Sequence, residues 1–417
     1  MTKKTIKPLL LIFPFDLLSH YLRCLTLANY FKPYFEIRFA YSDKFIDFIK
    51  KNGYKTFACQ SIQAEEALEC VKRFDFSWIN EKSLEPVYQD QVNIINILKP
   101  LAVLGDTSLT LKMAAEKTGV TYIALMNGYM SKHYSFTRGI SRTHPVYDLI
   151  HKLPTRAASL ITKKGEAISF KKVQKPFNKL RDKYKLSRKK TYPDELEGDI
   201  NLICDLHNLF PQKTLPLNYV MISPLYYETN MIYSQVINRL DKRKKTIFVS
   251  MGSTGEWKNV IFLNNEYFKK YNIVVAGDNL NILNAAHIIK ISFINIHEIF
   301  HTTDLVICQG GNGTIYQSLL YGIPLLCKTN HFEQEWNVEA LERLHAGKSL
   351  DPITRMRDYI KIVDEWTMKK ETGTNEFFKL KINEEVENME RTIGKVALSI
   401  TGSKIVLHNR NRINSAS

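Results

Sequence analysis

Short apolar runs alternate along this chain with longer stretches of helical periodicity, and that alternation limits the possible folds more than any other feature. The runs are Leu9–Phe15, Phe35–Tyr41, Leu101–Leu104, Tyr122–Met126, Thr246–Ser250, Ile273–Gly277, Leu305–Cys308 and Pro324–Cys327. Most are apolar at nearly every position. A strand with one face in water alternates apolar and polar residues, whereas a strand covered on both faces does not. The pattern therefore predicts an α/β chain with parallel sheets sandwiched between helices. With 417 residues, 44% of them hydrophobic, there is enough apolar material for two such sheets.

A break falls near 225–245. Val220 to Pro224 reads as a strand ended by proline, and the charged run Asp241 to Lys245 precedes a new strand at Thr246. The expected organisation is an N-terminal domain over 1–225, a linker over 226–241, a second domain over 242–380, and a C-terminal helix with a polar tail over 381–417. Met1 to Phe15 superficially resembles a leader. Its apolar stretch is interrupted by Pro14 and closed by Asp16, so it reads as a buried first strand. No apolar run reaches the ~18 residues needed to span a bilayer.

Six cysteines are scattered without a Cys-x-x-Cys pair, which argues against a metal site or a disulfide framework and suits a reducing cytoplasm. The formal charge is +16. Much of the surplus sits in 163–190, where twelve Lys or Arg face only Glu166 and Asp182, with Phe170, Phe177 and Tyr184 interleaved. The plain reading is an exposed basic helix. The sharper one is a surface for anionic lipid or an anionic acceptor, which would place the protein peripherally at the inner face of the membrane. No recognisable nucleic-acid module accompanies the segment, so no nucleic acid is expected as a partner.

The stretch 304–337 carries the most chemistry. The strand ending at Cys308 is followed by Gln309-Gly310-Gly311-Asn312-Gly313-Thr314 and then by a helix expected from about Thr314 to Tyr321, closed by Gly322 before Pro324. Glycines let backbone approach a phosphate, free N–H groups point outward, and the helix dipole adds partial positive charge. Such turns also arise for geometry alone. Gln317 lies three residues beyond Thr314 on the same helical face. Further on, Phe332-Glu333-Gln334-Glu335-Trp336-Asn337 offers carboxylates and amides suited to sugar hydroxyls.

From Phe293 to Gly347 the sequence resembles the donor-binding signature of the UDP-glycosyltransferase superfamily, family 1 enzymes and their macrolide-modifying relatives. Gly310, Gly311, Gly313 and Thr314 match the diphosphate loop, Gly322 and Pro324 its G-x-P, and Gln334 and Asn337 its D-Q-x-x-N. Gly252 and Ser253 resemble the other half of the diphosphate site. Phe293 stands where a tryptophan stacks on the base. Gln309, Gln317 and Glu333 replace a histidine, a glutamate and an aspartate, and Asn295 and Ile296 replace a Pro-Gln pair. The resemblance implies two Rossmann-like domains facing across a cleft, the GT-B fold, with a UDP-sugar held by Gly252, Ser253, Phe293, Gln309 to Thr314, Gln317, Glu333 and Gln334.

In the first domain the strand is followed by Ser19-His20 and a helix with Leu27-Ala28. His20 matches the family's catalytic base, with Ser19 in place of its glycine. Asp106, after the strand Leu101–Leu104, matches the orienting aspartate; its simpler role is a helix N-cap, which Thr107 would fill equally well. The resemblance thus implies inverting transfer to a hydroxyl of a small or lipid-like acceptor. No Asp-x-Asp occurs, so neither metal nor other cofactor is expected beyond the donor substrate. Two alternatives remain at the level of sequence. One is a non-catalytic nucleotide-sugar-binding subunit, suggested by Gln309 and Gln317. The other is a UDP-sugar epimerase of similar plan.

Overall fold

The computed structural model describes residues 7–62, 64–228, 236–252, 255–278, 280–292, 294–370 and 373–402. The first sheet contains β1 (Leu9–Pro14), β2 (Glu36–Ala40), β3 (Lys55–Phe57), β4 (Ala102–Asp106), β5 (Thr121–Met126), β6 (Ile200–Ile203) and β7 (Tyr219–Met221). Its spatial order is β3-β2-β1-β4-β5-β6-β7, and its strands pair in parallel. The second sheet contains β8 (Thr246–Ser250), β9 (Asn272–Ala276), β10 (Ile288–Ile291), β11 (Leu305–Cys308), β12 (Leu325–Cys327) and β13 (Gly347–Ser349). Its order, β10-β9-β8-β11-β12-β13, repeats the plan of the first.

Each sheet winds outward in both directions from its first strand. Neighbouring connections therefore leave on opposite faces between β1 and β4, and again between β8 and β11. A crevice opens there at the carboxyl ends, where ligands of open α/β sheets bind. The strands beside the crevice are the most apolar. Leu10, Leu11 and Ile12 of β1, and Leu305 to Cys308 of β11, are fully buried. The helix Leu18–Phe31 follows β1 and buries Tyr21, Cys24, Leu25, Ala28 and Phe31, the three-and-four spacing of one helical face.

The C-terminal helix begins earlier than the 381 boundary suggests and runs without a break over Gly373–Thr401. Phe378 and Ile382 pack into the core of the second domain, while Met389, Ile393, Val396 and Ala397 pack into that of the first. One apolar stripe thus joins both domains. Among the described residues no helix is long and apolar enough to cross a membrane.

Candidate active site

A cavity of about 600 Å³ lies between the two domains. His20 reaches it from the first turn of the helix Leu18–Phe31. Asp106 ends β4, beside Pro14 of β1 in the parallel register. This pairing brings the two residues together: His20 Nδ1 lies 3.0 Å from Asp106 Oδ2. Asp106 is fully buried, and both of its oxygens accept from Arg23, through Nε and Nη2. Arg23 Nη1 also donates to Asn127 Oδ1 at 2.6 Å. Burial alone would push the Asp106 carboxyl up, but the Arg23 guanidinium and His20 outweigh it and hold it at about 2.

Asp106 is not the cap of the following helix, and neither is Thr107. That helix starts at Leu111 with Thr110 at its N-cap position, which leaves Asp106 to its ionic partners. Sequence reasoning missed Arg23 and Asn127. Arg23 lies one helical turn beyond His20, on the same face, and that spacing was the available signal.

The glycine-rich turn faces His20 across the cavity. Its helix begins two residues earlier than expected and spans Asn312–Leu320, with Gly311 as N-cap. Asn312, Gly313 and Thr314 therefore form the first turn, whose N–H groups have no partner within the helix. Together with Gly311 they line the cavity. Gly310 has φ +87°, and a Cβ there would meet Val338 at 3.0 Å and the Gln334 carbonyl oxygen at 3.3 Å. Asn337 Nδ2 donates to the Gly310 carbonyl at 2.9 Å and so fixes the turn from below. Gly252, with φ +55°, closes the other side. A Cβ on it would come within 2.3 Å of the Gln309 amide nitrogen. Gly252 and Gln309 both line the cavity.

Other expected donor residues are placed as follows. Gln317 lines the cavity and donates to the Tyr227 carbonyl at 3.2 Å. Gln334 is buried and its Oε1 accepts from the Asn330 N–H at 2.8 Å. Asn295 caps the helix Ile296–Phe300 by accepting from the His297 N–H. Ser253 and Phe293 lie outside the described residues.

Glu333 enters the cavity from the start of the helix Phe332–Arg343. Burial pushes its carboxyl above the usual range, against the opposing pull of His20 and Arg23. Beside it is His331, a residue the sequence did not single out. It is 8% exposed and its Nδ1 is buried without a hydrogen-bond partner. Burial, with Lys72 adding to the effect, lowers its pKa to about 4, so the ring is neutral near pH 7.

Part of the cavity wall is apolar and aromatic. Phe74 and Phe76 of the first domain approach Phe332 of the second at 5.4 and 5.8 Å between ring centres. Phe332 continues to Trp336 at 4.8 Å, and Trp336 to Tyr129 at 5.6 Å. Polar contacts also cross between the domains. Trp336 Nε1 donates to the Gly139 carbonyl at 2.8 Å, and Arg142 pairs with Asp351 at 2.9 Å. Buried Asp205, after β6, accepts from the Tyr316 hydroxyl at 2.6 Å and from the Gly128 N–H at 2.5 Å. Tyr316 belongs to the glycine-turn helix, so this carboxyl ties that helix to the first domain. Burial raises its pKa to about 6.

The basic segment 163–190 divides in two. In its second half Lys179, Arg181, Lys183, Arg188 and Lys189 each face a carboxylate, and Arg181 is fully buried between Glu116 and Glu195. Phe177 is core. This half serves packing. The first half lies in the helix Thr155–Lys183 and borders the cavity at Phe170.

Two parallel sheets of repeated topology on either side of one cavity define a GT-B protein, and comparison with known proteins agrees. Residues 234–389 match the glycosyltransferase family 28 C-terminal domain. Over 342 residues the chain is 25% identical to the PGL/p-HBAD biosynthesis glycosyltransferase of Mycobacterium tuberculosis, a match covering 79% of this chain and 77% of that protein. It is 22% identical over 342 residues to the PGL/p-HBAD biosynthesis rhamnosyltransferase of Mycobacterium bovis, covering 79% and 74%. Its fold is similar to that of the calicheamicin glycosyltransferase CalG4, with a TM-score of 0.68 at 12% identity, covering 95% of this chain and 100% of that one. The chain thus has the GT-B fold, carries a glycosyltransferase family 28 C-terminal domain match over 234–389, and is similar to glycosyltransferases over most of its length.

Proposed function

We propose that this glycosyltransferase moves a sugar from a UDP-sugar to a hydroxyl of a lipophilic acceptor, with inversion and without a metal ion. The observation that carries the reading is the single cavity shared by His20 and the Gly311–Thr314 helix start. Asp106 accepts the Nδ1 proton of His20, which leaves the Nε2 lone pair free to take the acceptor proton. As that proton leaves, the acceptor oxygen attacks the anomeric carbon from the first domain while the nucleoside diphosphate departs toward the second. Attack and departure on opposite sides invert the centre. Base catalysis of this kind contributes about 10²–10⁴-fold, and Asp106 steadies the imidazolium as it forms.

The departing diphosphate gains charge where the backbone N–H groups of Asn312, Gly313 and Thr314 converge, together with the Thr314 hydroxyl, at a helix N-terminus. Glu333 and the neutral His331, both in the cavity wall, are the groups assigned to the sugar hydroxyls in this reading. The ring-lined half of the cavity suits an acceptor with an aromatic or long apolar body. The names of the two mycobacterial relatives support such a substrate class, since both are assigned to PGL/p-HBAD biosynthesis.

The test is nucleotide release from a panel of UDP- and TDP-sugars, with and without phenolic lipid acceptors and in the presence of EDTA. UDP released only with acceptor, and unaffected by EDTA, is the expected result. Release that needs a divalent cation would overturn the metal-independent step. Binding without turnover would favour a non-catalytic subunit.

A further inference from the structure

The geometry points to a docking surface for the interfacial layer of an anionic bilayer on the outer face of the helix Thr155–Lys183 and the short helix Tyr147–His151 before it. Leu149, Leu160 and Ile168 are 66%, 58% and 67% exposed, far more than leucine and isoleucine usually are in a folded chain. On the helix, residues 160, 164, 168, 171 and 175 follow at steps of four, four, three and four, and so fall within an arc of about 80°. That arc reads Leu160, Lys164, Ile168, Lys171, Lys175. Apolar side chains and lysines thus share one solvent-facing strip.

The cations here differ from those farther along the helix. Lys164, Lys171 and Lys175 make no ion pair among the described residues, whereas Lys179, Arg181 and Lys183 are bound to carboxylates of their own domain. Glu166, the carboxylate in this half of the helix, turns inward to Arg138 at 2.6 Å. The strip is therefore locally cationic and unneutralised, which complements an anionic lipid surface. Apolar side chains flanked by lysines on one helical face suit the headgroup boundary, where the lysine stems lie along the apolar layer and the ammonium groups reach the phosphates.

The strip is continuous with the cavity. Val146 and Ile161 are 37% and 44% exposed and also line the cavity wall. Docking would place the apolar mouth of the cavity against the bilayer, so that a lipid-borne acceptor enters without crossing water. That delivery step rests on the proposed glycosyl transfer; the docking itself does not.

The experiment is sedimentation of the full chain with equimolar phosphatidylcholine–phosphatidylglycerol vesicles and with phosphatidylcholine vesicles, scored separately from turnover. Two variants are used: Leu149→Ser/Leu160→Ser/Ile168→Ser, and Lys164→Glu/Lys171→Glu. These side chains lie outside the cavity wall, so turnover on a water-soluble aryl acceptor stays within twofold of the parent. The parent is expected to partition onto the mixed vesicles. Each lysine-to-glutamate change shifts the strip by two charges and so weakens this by about fivefold per charge, about 25-fold per site, an effect that high salt erases. Each methylene withdrawn costs about fourfold, so the triple variant leaves the vesicles at any salt. Failure of the parent to bind, or undiminished binding by the triple variant, overturns the proposal. A dimer that the triple variant abolishes, without vesicle binding, would reassign the strip to self-association. A parent that docks but turns over no acceptor would instead count against the transfer reading.

Discussion

Replacing Asp106 with asparagine probes the core of the proposed chemistry and separates its structural and catalytic roles. Asp106 is fully buried, so solvent does not screen its ion pairs. Its carboxyl is held at about 2 against an ordinary 3.8. The depression means that the ionised form stabilises the fold above the unfolded value and that this contribution disappears as pH falls through about 2. Near pH 7 it amounts to about 2 kcal/mol. The substitution also leaves the Arg23 guanidinium, 12% exposed, without its counter-charge, which raises the cost to about 3–5 kcal/mol. At about 2–4 °C per kcal/mol for a domain of this size, Tm should fall by about 6–20 °C at pH 7. Catalysis should suffer separately. Arg23 requires an acceptor, so the asparagine oxygen turns to it and the amide N–H faces His20 Nδ1. That arrangement puts the imidazole proton on Nε2, where it blocks base catalysis, and kcat should fall by about 10²–10⁴. Differential scanning fluorimetry and steady-state kinetics measure the two effects. An unchanged Tm with kcat within tenfold of the parent would refute the reasoning. A lower Tm with intact kcat would leave the ion pairs structural only.

Three further substitutions test other parts of the site. Gly310→Ala combines a left-handed φ with a contact against Val338 and the Gln334 carbonyl; it should weaken UDP binding by about tenfold in calorimetry, a loss of about 1.4 kcal/mol. Glu333→Gln should lower kcat/KM for the sugar donor by about tenfold or more through a lost charged acceptor, while the Kd for free UDP stays within twofold. Asp205→Asn removes a carboxyl whose folded pKa lies near 6. A raised pKa stabilises fully below the unfolded value and is lost as pH rises through 6, so the Tm deficit of the variant should be largest near pH 4 and should shrink by pH 8, a swing of about 3 kcal/mol.

The parts of the fold legible in the sequence are those where burial is two-sided. β1, β4, β8 and β11 stand next to the crevice and are apolar at nearly every position, so unbroken apolar runs located them. β3, β10 and β13 are short and each carries an exposed lysine, Lys55, Lys290 or Lys348, so none presents an unbroken apolar run. Helix starts shifted where the cap was ambiguous. Gly311 takes an extended conformation (φ −76°, ψ 142°) as N-cap, so residues expected in the loop became the first turn. Glycine spacing made the donor side legible because backbone approach demands glycine at Gly310 and Gly252. Arg23 was harder to read, because a lone cation on a helix reads as solvated until its buried carboxylate partner is placed 83 residues away. Asp205 and Tyr316 belong to different domains and meet only through tertiary docking. The run 163–190 was visible as charge, yet only the folded chain separates the cations that brace the first domain from those left facing outward.

The most direct test of the account is His20→Ala, followed in parallel by turnover and by titration calorimetry with the UDP-sugar. In the proposed reaction His20 serves the acceptor and the Gly311–Thr314 turn the nucleotide, so kcat should drop by about 10²–10⁴ while the donor Kd moves less than twofold. Equal loss of turnover and donor affinity would contradict the account, because it would show that the imidazole holds the cavity together rather than removing the acceptor proton.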